Sequence, residues 1–115
     1  MEIRIIKKSI SRKELEELAK EGFGDVIKAV VDVEQEIMAV GGEFHSEEEV
    51  LLMERENSKR ENTWGINLQF DESSEFIEFD SMVNLKPAYG NRSRDVENSK
   101  TRNKIKEIIK KLIHD

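Results

Sequence analysis

The chain has no cysteine and one proline among its 115 residues. Without cysteine, disulfides, thiolate metal sites and cysteine nucleophiles are excluded. No apolar run approaches the roughly 18 residues that a membrane span needs, and the N-terminal residues lack the long apolar stretch of a signal peptide. With six glycines and so little proline, the composition leaves little room for disorder. These absences predict a cytoplasmic protein with no membrane partner.

Length limits the number of domains. A chain of 115 residues can bury a core without disulfides or a structural metal, but it is too short for two ordinary domains. We therefore expect a single domain over residues 1–115. Glutamate and lysine are both frequent, a bias associated with proteins from hot environments because ion pairs gain relative value as temperature rises.

Charge is unevenly distributed along the chain. Residues 1–85 carry 10 basic and 21 acidic side chains, whereas residues 86–111 carry 9 basic and 3 acidic ones. The overall net charge of −6 disfavours non-specific nucleic-acid binding, which depends on lysine and arginine displacing counterions from phosphates. The basic C-terminal quarter still leaves room for a local anion site.

Three helices are predicted from caps and apolar periodicity. Ser11 opens a capping box and predicts a helix over residues 11–21. Ser46 opens a second capping box and predicts a short helix over residues 46–56. The third helix is predicted over residues 98–113, where apolar residues are spaced as on one helix face: Ile105, Ile108, Ile109, Leu112 and Ile113.

Strands are predicted from β-branched and alternating residues. They cover residues 2–7, 26–33, 37–40, 63–70 and 76–85. The tract over residues 25–40 also fits one long helix, because Ala29, Glu34 and Met38 tolerate helix. The predicted fold class is α+β, a single domain with a mostly antiparallel sheet of about five strands packed with about three helices.

Alternation along the strand predicted at residues 76–85 gives it two faces. Glu78, Asp80 and Asn84 share the polar face, and Asn67 joins them if the polar faces of neighbouring strands coincide. A solvated sheet face has the same pattern. Two carboxylates at this spacing could also hold Mg²⁺ together or oppose an arginine. The opposite face is predicted to face the core: Ile77, Phe79, Ser81, Val83 and Leu85.

The loop over residues 86–94 places Asn91, Arg92 and Arg94 shortly before the last helix. Cations at a helix N-terminus are locally unfavourable because they meet the positive end of the helix dipole. They become favourable when an anion lies between them. That anion is either a ligand phosphate or carboxylate, or the protein's own strand carboxylates.

His45 is the histidine that a turn presents at an element boundary. As a general base or metal ligand it would need a partner within hydrogen-bond reach. A solvated or core-edge histidine is the simpler interpretation. The chain contains no Gly-x-Ser-x-Gly elbow, no Gly-Lys-Ser/Thr phosphate loop and no His-Glu-x-x-His, so the familiar enzyme classes are not supported.

Three short segments resemble family motifs. Residues 64–68 (WGINL), 78–84 (EFDSMVN) and 90–94 (GNRSR) are similar to the WGxNL, EFDSMxN and GNRSR motifs of a small prokaryotic family known as a domain of unknown function. Residues 29–45 are similar as well, so the resemblance spans nearly the whole chain. It implies no activity. The family often opens its last helix with an acid-proline pair, where this chain has Asn98-Ser99, so we expect one of these two residues to supply the cap.

Three hypotheses about function follow. In the first, a small cytoplasmic domain binds a phosphate- or carboxylate-bearing ligand through the 86–94 loop. In the second, a metal-assisted enzyme uses Glu78 or Asp80 as metal ligand or general base, with His45 as a further candidate for either role. In the third, the chain is a structural or assembly protein that can form a homo-oligomer and has no small-molecule site. The ligand-binding residues of the first hypothesis are Arg92, Arg94, Asn91, Asn67, Asn84, Glu78 and Asp80.

Overall fold

The structure is a computed structural model that describes residues 2–115. Three helices are present, as predicted: α1 (Arg12–Glu21), α2 (His45–Glu56) and α3 (Ser99–Leu112). The strands are β1 (Arg4–Ile6), β2 (Ile10–Ser11), β3 (Val26–Asp32), β4 (Ile37–Val40), β5 (Thr63–Gln69), β6 (Ile77–Glu78) and β7 (Ile113–His114).

Five strands form one sheet in the order β1-β4-β3-β5-β6, and every neighbouring pair is antiparallel. The predicted α+β fold class is therefore confirmed. The β-branched residues of β3 and β4 form a hairpin, and the alternative of one helix over residues 25–40 is wrong. The turn of the β3–β4 hairpin is held by Asp32, whose Oδ1 accepts from the N–H groups of Glu34 and Gln35. The short strands β2 and β7 pair in parallel outside this sheet.

The helices lie on both faces of the sheet. Helices α1 and α3 bury their apolar faces with one side of the sheet, as the periodicity of the last helix predicts. Helix α2 covers the other side with Leu52, which packs with Val30, Ile37 and Ala39. That second core is small, so the sheet face under α2 leaves room for polar residues. No helix within residues 2–115 has the length and apolarity that crossing a membrane requires.

The caps explain where the helices begin. Ser11 caps α1 and Asn98 caps α3, as predicted, each accepting from a backbone N–H of the first turn. The predicted cap of α2 is wrong. Phe44 is the cap residue, because its backbone is extended (φ −131°, ψ 144°) and the helix begins at His45, so Ser46 lies inside the helix. The N–H of Phe44 donates to Oε1 of Glu47 at 3.1 Å.

The predicted strand over residues 76–85 is wrong over most of its length. After β6 the chain leaves the sheet and forms a 3₁₀ turn at Met82–Asn84. The Ser81 hydroxyl accepts from the N–H of Val83 at 3.2 Å, and this local hydrogen bond competes with strand pairing. Alternation ends here, so Asn84 is fully buried instead of sharing a polar face with the strand carboxylates.

Candidate functional site

The segment after β6 packs against the otherwise open edge of β5. Asn84 accepts from the N–H of Gly65 through Oδ1 at 2.8 Å and donates to the Gly65 C=O through Nδ2 at 2.9 Å. One side chain thereby replaces a paired strand residue. A Cβ on Gly65 would lie 2.4 Å from the Ser81 Oγ, so only glycine allows this close approach.

Asn91 holds the same segment together from within. Its Nδ2 donates to the carbonyl oxygens of Asn84 and Asp95, each at 2.7 Å, and its Oδ1 accepts from the N–H of Glu97 at 2.9 Å. Both Asn84 and Asn91 are buried, with their amides engaged by the protein's own backbone. These two asparagines of the predicted site form its scaffold.

Lys86 fixes the segment to the start of β5. Its buried ammonium donates to the carbonyl oxygens of Arg60 and Thr63 and lies 4.0 Å from the centroid of the Trp64 ring. Burial, with a smaller contribution from the Arg60 charge, lowers the pKa of Lys86 to about 8. Beside it, Arg60 donates to Oε2 of Glu49 at 2.9 Å. We therefore assign a structural role to these hydrogen bonds of Lys86 and Arg60.

A cleft of about 300 Å³, which we call the His45 cleft, lies between the start of α2 and the segment after β6. Helix α2, the sheet and that segment each contribute side chains to it. Lys28 of β3 and Asn67 of β5 are directly opposite in the register, so they enter the cleft side by side. The lining residues are Lys28, Phe44, His45, Ser46, Asn67, Asp80, Ser81, Met82, Val83 and Arg94.

Two cations and one carboxylate face the His45 cleft. The Nε of Arg94 lies 2.6 Å from Oδ1 of Asp80, and the two side chains stay 56% and 45% exposed. Arg94 thus meets an internal anion and keeps much of its guanidinium accessible. Lys28 forms no ion pair with any acidic residue of the described part of the chain. The ionised side chains that line the cleft therefore sum to one positive charge.

His45 forms the buried wall of the cleft. Its Nε2 lies 2.8 Å from the carbonyl oxygen of Ile66, and because a carbonyl only accepts, this nitrogen carries a proton. Burial lowers the pKa of His45, assisted by the charge of Lys28, so the imidazole is neutral at pH 7. In that tautomer Nδ1 has no proton to donate.

Asn67 lines the cleft together with His45, and its side chain raises the pKa of the imidazole, against the effect of burial. Its Nδ2 donates to Oε1 of Glu78 at 2.8 Å, whereas its Oδ1 is buried without any hydrogen-bond partner. That oxygen is therefore an unused acceptor beside the cleft.

The remaining predicted residues lie outside the His45 cleft. Glu78 lines a neighbouring open hollow of about 570 Å³, together with Glu75 and Asp95. Arg92 is exposed and forms no ion pair within residues 2–115. Across the same residues, no three histidine or acidic side chains are grouped as they would be to hold a metal ion.

The structure thus brings three of the predicted ligand-binding residues, Asn67, Asp80 and Arg94, into one cleft with His45, the candidate of the enzyme hypothesis. Sequence reasoning missed Lys28, Phe44 and Met82. Lys28 has a signal that could have identified it, because it is the only charged residue inside the apolar run of β3 before its last residue. Phe44 and Met82 have none, since only the packing of the two walls leaves them exposed.

Comparisons with known proteins give a family but no activity. The model of a family described as "Protein of unknown function" matches residues 4–112. A search of curated proteins and a search of solved structures each return no match. The function must therefore be argued from the geometry of the site.

Proposed function

The chain belongs to this family, DUF5674, and we propose that it binds a small anionic ligand in the His45 cleft, with Arg94 and Lys28 as the cationic groups. The supporting observation is the convergence of two cations on one cleft that holds a single carboxylate. A cation without an ionic partner beside a half-buried sheet surface gains from a bound anion, because the local dielectric is lower than that of water.

Each cleft residue has a role in this proposal. Arg94 presents a planar fork of donors that matches a carboxylate or phosphate in two-point contact. Asp80 orients that guanidinium in the free protein through the 2.6 Å contact. Lys28 supplies a second, more flexible point charge. The positive end of α2, which begins at the cleft wall, adds to the field on the anion.

The proposal modifies the residue set derived from the sequence. Asn67, Asp80 and Arg94 stay in the binding site, whereas Asn84 and Asn91 support it from the scaffold. Three other hypotheses from the sequence stay predictions: ligand binding through Arg92, a metal-assisted enzyme, and an assembly protein. Both carboxylates that the enzyme hypothesis uses have partners within the protein. Glu78 accepts from Asn67 and Gln69, and Asp80 pairs with Arg94.

Thermal unfolding tests the proposal with a panel of acetate, sulfate, phosphate and methanesulfonate at constant ionic strength. A ligand that binds only the folded state stabilises it by about 2.7 kcal/mol at 100 times its Kd. We expect at least one anion to raise the Tm of the wild-type protein. Arg94→Gln should abolish that shift and Lys28→Gln should reduce it.

Arg92→Gln is the matched control, because it removes an arginine two positions away that does not line the cleft. It should retain the wild-type response. If Arg92→Gln removes the shift and Arg94→Gln does not, the anion binds on the loop surface and the cleft proposal is wrong. No shift with any anion would also contradict it.

A further inference from the structure

Two exposed apolar side chains line the His45 cleft. They are Phe44, the cap residue of α2, and Met82, the first residue of the 3₁₀ turn. They are 57% and 63% exposed, among the largest exposures of apolar side chains in residues 2–115. A single exposed apolar residue needs no explanation, but two that line one cleft with charged residues make an amphipathic site.

These side chains belong to separate segments that the fold brings to the same cleft. Val83, which is buried, continues the apolar surface inward from Met82. Arg94 and Lys28 contribute the charge. A ligand that fits both parts has a charged end and an apolar end, since either half alone would leave the other uncompensated.

The charge of the cleft restricts the charged end. Arg94, Lys28 and Asp80 leave an excess of one positive charge, and His45 is neutral at pH 7. A carboxylate carries one negative charge, whereas a phosphate monoester carries about 1.5 to 2 at that pH. The planar carboxylate also matches the guanidinium fork. The cleft therefore suits a carboxylate better than a phosphate.

The volume and the walls restrict the apolar end. A cleft of about 300 Å³ lies at the lower limit of ligand pockets, which run from about 300 to 1,000 Å³. An aromatic ring packs well against Phe44, and thioethers such as that of Met82 make favourable contacts with ring edges. One ring next to the charged group fits within this volume.

Resting on the anion site proposed above, we infer that the ligands of the His45 cleft are single-ring aromatic monocarboxylates, with the carboxylate at Arg94 and Lys28 and the ring between Phe44 and Met82. The inference adds a ligand class that the charges alone do not specify. Neither Phe44 nor Met82 contributes a side chain to a core, so both can be replaced without loss of the fold.

Amide-resolved NMR titration tests the inference with benzoate, acetate, benzamide and phenyl phosphate as probes. We expect benzoate to bind at least about tenfold more tightly than acetate, which is the gain from burying one ring face. Benzamide, which has the ring without the charge, and phenyl phosphate should bind more weakly than benzoate. Shifts should concentrate on the cleft residues.

Two variants separate the apolar from the charged contribution. Phe44→Ala and Met82→Ala should each weaken benzoate binding about three- to tenfold while acetate affinity stays unchanged. Tyr89→Ala is the matched control, because Tyr89 is also 57% exposed but lies outside the cleft. It should leave both affinities unchanged.

The possible failures are distinguishable. If acetate and benzoate bind with equal affinity and Arg94→Gln abolishes both, the ligand class is wrong and the anion site stands. Tighter binding of phenyl phosphate than of benzoate would also overturn the assignment to carboxylates. If no probe binds, the proposed anion site and the inference fall together.

Discussion

The side-chain amide of Asn84 hydrogen-bonds both the N–H and the C=O of Gly65, and it thereby closes the edge of the sheet that β6 leaves open. A third hydrogen bond from Asn84 reaches the carbonyl oxygen of Arg94 at 2.9 Å. The residue that fixes the sheet edge therefore also positions the backbone of the proposed anion-binding arginine. Stability and the geometry of the site are coupled at this one side chain.

Replacing Asn84 should destabilise the protein strongly. Asn84→Asp keeps the acceptor for the Gly65 N–H but removes the donors and introduces a buried charge, so we expect a loss of about 2 to 4 kcal/mol in the free energy of unfolding. Urea denaturation measures it. Asn103→Asp, at an exposed position of α3, is the control and should change stability by less than about 0.5 kcal/mol. Equal effects at the two positions would contradict the assigned role.

Glu48 should make stability depend on pH. Burial raises its pKa well above the ordinary value, so between the unfolded and folded pKa values the folded state binds more protons than the unfolded state. The wild-type protein should therefore lose stability relative to Glu48→Gln as the pH rises above 4.5. A tenfold difference between the folded and unfolded acid dissociation constants contributes about 1.4 kcal/mol.

Urea denaturation at a series of pH values measures this difference between the wild type and Glu48→Gln. The exposed Glu54 provides the control, since Glu54→Gln should show no such trend. A constant difference between the wild type and Glu48→Gln across the range would show that Glu48 does not hold its proton in the fold.

Lys86 should have the opposite pH dependence. Its pKa is lowered from 10.5 to about 8 in the fold, so between these values the unfolded state binds more protons and stability rises with pH. Relative to Lys86→Met, the wild type should gain up to about 3 kcal/mol between pH 8 and pH 10.5. The gain is absent below pH 8. Chemical denaturation at each pH measures it, and Lys106→Met, at an exposed site, should give a flat difference.

His45 should couple anion binding to proton uptake. A bound anion raises the pKa of the imidazole above its value in the free cleft, where Lys28 opposes the proton and Asp80 favours it. Extra affinity is then fully present below the free-state pKa and is lost as the pH rises through the pKa of the complex. If the anion makes the imidazole about tenfold more basic, Kd should change about tenfold across that range.

Methanesulfonate is the suitable probe for this coupling, because its own charge is constant between pH 5 and 8. Calorimetry in two buffers of different ionisation enthalpy counts the protons taken up for each anion bound. His45→Gln should bind with an affinity that does not change with pH, because glutamine does not titrate. Its amide can still donate to the carbonyl oxygen of Ile66, so the wall of the cleft is kept. A pH trend that persists in this variant would assign the proton to another group.

The helices and the β3–β4 hairpin were predictable because their signals are local. A cap such as Ser11 and an apolar stripe such as that of α3 act within one or two turns, so neighbouring residues suffice to identify them. The strand prediction for residues 76–85 was wrong because it too used only local signals. Its alternation is real, but the hydrogen bonds of Ser81 and Asn84 draw the chain away from the sheet.

By itself, the sequence determined the fold class and most of the elements, and it proposed the polar residues Asn67, Asp80 and Arg94 as candidates, because periodicity and residue chemistry are properties of the chain. Tertiary structure alone decided which of these residues meet. It placed Lys28 beside Asn67 through strand register and brought His45 to the same cleft from α2. Contacts between distant segments depend on packing, which one sequence does not display.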